Sequence, residues 1–282
     1  MAISVNTNLA SLTAQKSLAK STDKLDTAMK RMSTGYRINS SKDDAAGIAV
    51  ATKLNYKLSS YNVAEGNAQM GSSLMATAES IMSTIQDNLQ RIRDLTEQAA
   101  NGTYGTDSML AITREVQARM DEITRISESV EYNGKYLLNG SITEDINLQV
   151  GIENNEHSII TLSKDLFAAT NASALLGTSD VSDKYENDTT AREFLSNIDS
   201  ALEGITDRIS LIGGIQQRLV SVLEATSTLS EAVTSSLSTL QDADIAEEST
   251  AYIKEQILQQ ISASMLSAAN QSPSIALSLL GS

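Results

Sequence analysis

Stepping along residues 195–240 by alternate threes and fours gives Leu195, Ile198, Leu202, Ile205, Ile209, Ile212, Gln216, Leu219, Leu223, Thr226, Ser230, Val233, Leu237 and Leu240. Eleven of these fourteen are Leu, Ile or Val, the repeat of a coiled-coil seam. Unbroken, such a helix spans roughly 70 Å. Gly213-Gly214 is its weak point, where the helix either kinks or admits a close neighbour. A second seam runs Ala78, Met82, Ile85, Leu89, Ile92, Thr96, Ala99, preceded by a weaker stripe through Ile48, Ala51, Leu54, Leu58 and Tyr61. A third runs Met109, Ile112, Val116, Met120, Ile123, Ile126, Val130 and stops at Asn133-Gly134. So little chain separates the second from the third that they are predicted to be antiparallel neighbours.

Shorter stripes occupy the two ends: Leu18, Leu25, Met29 and Met32, then Ile253, Ile257, Ile261 and Met265. Ser33-Thr34-Gly35 ends the first of these helices. Ser41-Lys42-Asp43-Asp44 has capping-box spacing and starts the next. Helices this short need packing partners in water. Between the long helices the period changes. Ile146–Gly151 alternates, Ser158–Leu162 is β-branched, and Glu153-Asn154-Asn155-Glu156 lies between them, which predicts a β-hairpin. Residues 170–190, rich in Ser, Thr, Asp and Asn, read as a surface connection. The expected fold is mainly α: long antiparallel coiled-coil helices from both chain halves, with a small β-hairpin region around 141–164.

Composition narrows the function. The single proline is Pro273, so nothing before it carries the roughly 3 kcal/mol penalty that proline imposes on a helix interior. The formal charge of −14 disfavours nucleic acid, whose phosphates need a basic face. The first 42 residues set seven Lys and Arg against Asp23 and Asp26, whereas residues 241–282 carry five acids against Lys254; opposite signs favour pairing of the two ends. Without cysteine there is no disulfide or thiolate metal site. The start has no Sec-type signal, and no window is apolar enough to span a bilayer. The sole histidine, His157, has no second histidine to complete a metal pair. Neither enzyme chemistry nor a cofactor is expected.

Several motifs, in order, then carry a resemblance. Val5-Asn6-Thr7-Asn8, Arg37-Ile38-Asn39-Ser40-Ser41-Lys42-Asp43-Asp44-Ala45-Ala46-Gly47 and the block Leu89-Gln90-Arg91-Ile92-Arg93-Asp94-Leu95 resemble the N-terminal half of bacterial flagellins. Gly213-Gly214-Ile215-Gln216-Gln217-Arg218, Asp242-Ala243-Asp244 and the closing Leu277-Ser278-Leu279-Leu280 resemble the C-terminal half. The resemblance implies a structural subunit that polymerises into the helical filament of the bacterial flagellum, secreted by flagellar type III export. Residues 1–42 with 241–282 would form an inner terminal-helix domain and 43–240 a helical bundle with the hairpin, without a large outer variable domain.

The packing residues of the ends would be Leu18, Leu25, Met32, Ile253, Ile257, Ile261, Leu277, Leu279 and Leu280. Implied partners are the chain itself as a homopolymer, an export chaperone at the C-terminal segment, and filament cap and junction proteins. A host Toll-like receptor would meet Gln90, Arg91, Arg93, Leu95 and Glu115. From spacing alone, Arg91, Arg93 and Glu115 are solvated helix-face charges and Leu95 is core. The alternatives are a hook–filament junction protein or a minor flagellin.

Overall fold

A computed structural model describes the backbone of residues 7–280 and the side chains of residues 7–271. In chain order the elements are α1 (Leu9–Thr34), α2 (Ala45–Ala99), α3 (Thr106–Ser129), β1 (Glu131–Tyr132), β2 (Lys135–Tyr136), β3 (Ile146–Gln149), β4 (Ile159–Leu162), α4 (Ala172–Leu176), α5 (Asp188–Gln241) and α6 (Ile245–Leu280). Short 3-10 turns flank β4. The chain forms two compact units, one from the described parts of 1–58 and 232–282, the other from 59–231.

The second unit is organised by the seams. Every position from Ala78 to Ala99 in the α2 repeat is buried, as are Met109 to Ile126 in α3. The α5 positions within this unit, from Leu195 to Ser230, are all at least half-buried, and the repeat continues through Val233, Leu237 and Leu240 in the part of α5 that belongs to the first unit. Ile85, Ile92, Ile123 and Ile205 are fully enclosed, and each such side chain contributes about 1.5–3 kcal/mol on leaving water. Gly213 and Gly214 lie inside α5, and a Cβ at either would meet nothing within 4 Å. Neither of them makes a close approach within this molecule.

The predicted hairpin is present. β3 and β4 pair antiparallel, with Ile146 opposite Leu162 and Leu148 opposite Ile160. It docks on α2 where Gly71 leaves room, since a Cβ there would collide with Leu148. Two expectations for this unit need correction. Helix α3 ends at Ser129 rather than at Asn133-Gly134. Those two residues, with φ of 50° and 78°, form the turn of a second hairpin, β1–β2; two positive φ values are what a type I′ turn demands. Residues 170–190 are more than a surface connection, because Leu176, Val181 and Tyr185 are each at most 3 % exposed. Tyr185 shares a hydrogen bond with Thr96 on α2 and meets the Phe194 ring edge-on. Burial pushes its phenol up to about 12, partly offset by the bond to Thr96.

In the first unit α1 and α6 pack along each other. Asn8 caps α1 by accepting from the Ser11 N–H, and Gly35 ends it in the left-handed conformation at φ 75°. The backbone N–H of Arg37 donates to Gln241, and that of Ala243 donates to Gly35, which clamps the ends of the two chain halves together. The start of α2 differs from a Ser41 cap. Asp44 caps it by accepting from the Gly47 N–H at 2.9 Å. Asp43 closes the preceding loop by accepting from the N–H groups of Asn39 and Ser40 and from the Ser40 hydroxyl. The Ser40 hydroxyl holds the Asp43 carboxyl below its ordinary range. Gly47 is required here, because a Cβ would strike Asp44 and Ile38.

Candidate assembly and recognition surfaces

The α1–α6 seam has an unusual makeup. From α1 it takes Ser11, Ala14, Leu18, Ser21, Leu25, Ala28 and Met32, spaced by threes and fours. From α6 it takes Tyr252, Glu255, Gln259, Ser262, Leu266 and Ala269 at the same spacing. The helices are antiparallel and their register is set by polar contacts. The Asn8 amide donates to the Ala269 carbonyl at 2.8 Å, and Gln259 donates to the Thr22 hydroxyl at 3.0 Å. Lys24 Nζ meets Glu255 Oε1 at 3.1 Å, and Arg31 meets Glu248 Oε1 at 2.9 Å. The opposite charges of the two chain ends therefore meet as specific ion pairs.

Of the residues expected to pack the ends, Leu18, Leu25 and Met32 sit half-buried in this seam. Ile253, Ile257 and Ile261 do not. They are 56 %, 51 % and 45 % exposed, alongside Met265 on α6 and Leu12 and Met29 on α1. The side chains of Leu277, Leu279 and Leu280 lie outside the described residues. Apolar side chains turned outward along two paired helices form a surface that water does not stabilise. The α6 seam itself is hard to find in sequence, because it is built from small and polar residues.

The second surface lies on the bundle, where α2 and α3 present charged side chains. Arg91 Nε and one Nη both reach Glu115 Oε1, at 3.0 and 2.8 Å. Arg93 donates to Asp199 on α5 at 2.7 Å and to Glu97 at 3.4 Å; the bond to Asp199 raises its guanidinium pKa. Gln90 is exposed. Leu95 faces the interior at 3 % exposure, so it supports this surface from beneath. Three helices thus hold Arg91, Arg93 and Glu115 in fixed positions. Among the described residues no cluster of acids and histidine could hold a metal ion, and no helix is long and apolar enough to cross a membrane.

The family model for the bacterial flagellin N-terminal helical region matches residues 5–143, and that for the C-terminal helical region matches residues 195–280. The chain is 30 % identical to flagellin D of Vibrio cholerae over 378 aligned positions that take in all of both chains. It is 33 % identical to a flagellin of Listeria monocytogenes over 286 positions, 99 % of each chain. A solved flagellar hook-associated protein from Vibrio parahaemolyticus, 15 % identical, aligns with 71 % of this chain and 100 % of its own at a TM-score of 0.60. That likeness is one of fold, whereas the flagellins match in sequence from end to end. Both family models fall on the paired long helices that organise the two units, and the chain belongs to the bacterial flagellin family, whose members are the structural subunits of the flagellar filament.

Proposed function

We propose that the α1–α6 pair, within residues 1–42 and 241–282, forms the inner part of the filament and that residues 43–240 form the shell around it. The observation that carries this reading is the inverted pattern of the pair. Its fully buried positions are small or polar (Ser11, Ala14, Ser21, Ala28, Glu255 and Ser262), the larger Leu18, Leu25, Met32 and Leu266 are only half-buried, and Ile253, Ile257, Ile261 and Met265 point outward. Each of these outward side chains, about half exposed, gains about 1–1.5 kcal/mol if a neighbour removes the rest of it from water. Contacts between unlike surfaces that do not close a ring propagate as an open filament. The subunit acts structurally and without a cofactor, outside the cell. Its C-terminal segment is the one offered to an export chaperone, and filament cap and junction proteins meet the finished ends.

Electron microscopy of the purified chain under polymerising salt tests the reading. Helical tubes are expected, and persistent monomers would refute it.

A second reading concerns the Arg91 surface. The Arg91–Glu115 pair is hydrogen-bonded between α2 and α3 yet 45 % and 39 % exposed at its two side chains, and a forked guanidinium suits charged recognition. A host Toll-like receptor is the proposed partner, using Gln90, Arg91, Arg93 and Glu115 with Leu95 beneath. Arg91→Ala is expected to weaken receptor signalling by about tenfold or more while filaments still form. Signalling at the parental level would remove the proposal.

A further inference from the structure

Three Asn–Gly pairs occur in the chain: Asn101-Gly102, Asn133-Gly134 and Asn139-Gly140. Asparagine is a chemically labile residue. Glycine after it removes the side chain that would shield the next backbone nitrogen. That nitrogen can attack the asparagine Cγ. The new N–C bond closes an imide ring, and the amide nitrogen leaves as ammonia with the proton lost by the backbone nitrogen. Water then opens the ring. The product is aspartate or, by opening at the other carbonyl, isoaspartate with an extra methylene in the backbone. Closing the ring requires rotation about the asparagine Cα–C bond, so a fixed backbone slows it.

The fold fixes two of the pairs. Asn133 and Gly134 form the β1–β2 turn at φ of 50° and 78°. The rungs Tyr132–Lys135 and Glu131–Tyr136 hold both sides of that turn, and the Leu137 N–H extends them by donating to the Val130 carbonyl. Asn139 is half-buried and follows the fully enclosed Leu138. Its side-chain oxygen accepts from the Ser141 N–H at 2.9 Å, while the Leu138 carbonyl accepts from the Thr170 N–H and the Ser127 hydroxyl. Gly140 lies against Ala169, and a Cβ there would stand 3.2 Å from the Ala169 Cβ. Ring closure at either pair therefore waits for local opening.

Asn101-Gly102 is held differently. Both residues are exposed in the turn between α2 and α3. The Tyr104 N–H closes that turn by donating to the Asn101 carbonyl at a long 3.4 Å. The Thr103 hydroxyl donates to the Asn101 side-chain oxygen at 3.2 Å. That oxygen gains negative charge as the nitrogen adds to Cγ, so the bond strengthens as the reaction proceeds. Beside the turn, Arg192 donates to the Ala100 carbonyl at 3.3 Å and meets Asp188 at 3.5 Å. A cavity of about 450 Å³ opens here, with Asn101, Glu186 and Asp188 in its lining.

We infer that Asn101 is a self-modifying position: in the folded chain it converts to aspartate and isoaspartate ahead of Asn133 and Asn139, assisted by the Thr103 hydroxyl. Each conversion adds a carboxylate to a cavity that already holds Glu186 and Asp188. Like charges at this distance repel, which loosens the joint between the α2–α3 turn and the start of α5. The turn thereby changes charge with the age of each copy and needs no modifying enzyme.

The test follows the purified full chain in mildly alkaline buffer by mass spectrometry of its peptides, beside a sample unfolded in guanidinium chloride. In the folded chain, conversion at Asn101 is expected to run at least about tenfold faster than at Asn133 or Asn139, which react only through opened states. In guanidinium the three rates are expected to converge. Asn133 or Asn139 keeping pace with Asn101 in the folded chain would overturn the inference. So would the same spread of rates in guanidinium, which would trace it to local sequence and not to the fold. Thr103→Val, with parental helical circular dichroism, should slow Asn101 in the folded chain by about twofold or more and leave its rate in guanidinium unchanged. A parental folded rate in that variant would overturn the part given to the Thr103 hydroxyl. The reaction takes place within one copy, so none of these outcomes bears on the filament reading.

Discussion

The α2–α3–α5 bundle and the α1–α6 pair use the same three-four spacing to opposite ends. In the bundle the spacing places Ile85, Ile92, Val116 and Ile123 inside, all fully enclosed. In the terminal pair it places Ser11, Ser21, Glu255 and Ser262 inside and leaves the isoleucines of α6 outside. Helical periodicity alone therefore says that a helix has two faces; it does not say which partner covers the apolar one. The bundle satisfies its apolar seam within one molecule. The terminal pair buries small and polar residues most deeply, half-buries Leu18, Leu25, Met32 and Leu266, and leaves exposed an apolar side that the proposal above assigns to other copies.

A paired substitution gives the largest separation between the two. Ile123→Ala empties a fully buried site and is expected to cost about 2–5 kcal/mol in urea unfolding of the monomer. Ile257→Ala, at 51 % exposure, is expected to change monomer stability by less than about 0.5 kcal/mol yet to raise the assembly concentration clearly. If Ile257→Ala destabilised the monomer as much as Ile123→Ala, the outward face of α6 would be as important to the single molecule as the bundle core.

The next effect is confined to the bundle and appears in alkali. Tyr185 titrates at about 12 when folded, against an ordinary 10.0. Its folded value is the higher one, so its contribution is intact below pH 10 and is lost as pH rises through 12. Two units correspond to about 2–3 kcal/mol. Tyr185→Phe should flatten that part of the dependence of the urea midpoint on pH, and Thr96 keeps its bond to the Ile92 carbonyl in the variant. An unchanged slope between pH 10 and 12 would mean that Tyr185 is not the group responsible.

Residues of strong period were legible in the sequence, and isolated ones were not. The α2, α3 and α5 seams and the β3–β4 pairing follow from spacing, because one side of each element is apolar over many residues. Asn133-Gly134 reads equally as a helix stop or a hairpin turn, and only the two positive φ values decide. Val181 and Tyr185 are single apolar residues in a polar stretch, so no period marks them as core. The α6 seam is concealed for a different reason: Glu255, Gln259 and Ser262 are residue types normally found in water, and they are covered only because α1 supplies Lys24, Thr22 and small neighbours. The Arg91–Glu115 pair is legible as two charges but not as a contact, since it depends on how α2 and α3 are aligned.

The smallest effect tests how strongly the terminal pair holds itself together. Lys24 is 54 % exposed at the side chain and Glu255 only 8 %, so water screens one side of the ion pair. A double-mutant cycle with Lys24→Met and Glu255→Gln, read by amide exchange at Ala28 and Ser262, should give a coupling of about 1 kcal/mol or less. The coupling should shrink further in about 1 M salt, where screening acts within about 3 Å. A weak pair is what the comparison requires, because the termini then gain most of their order from neighbouring copies. A coupling above about 3 kcal/mol, in the range of fully buried pairs, would mean that α1 and α6 hold each other without help. The outward isoleucines would then be dispensable for ordering the terminal helices.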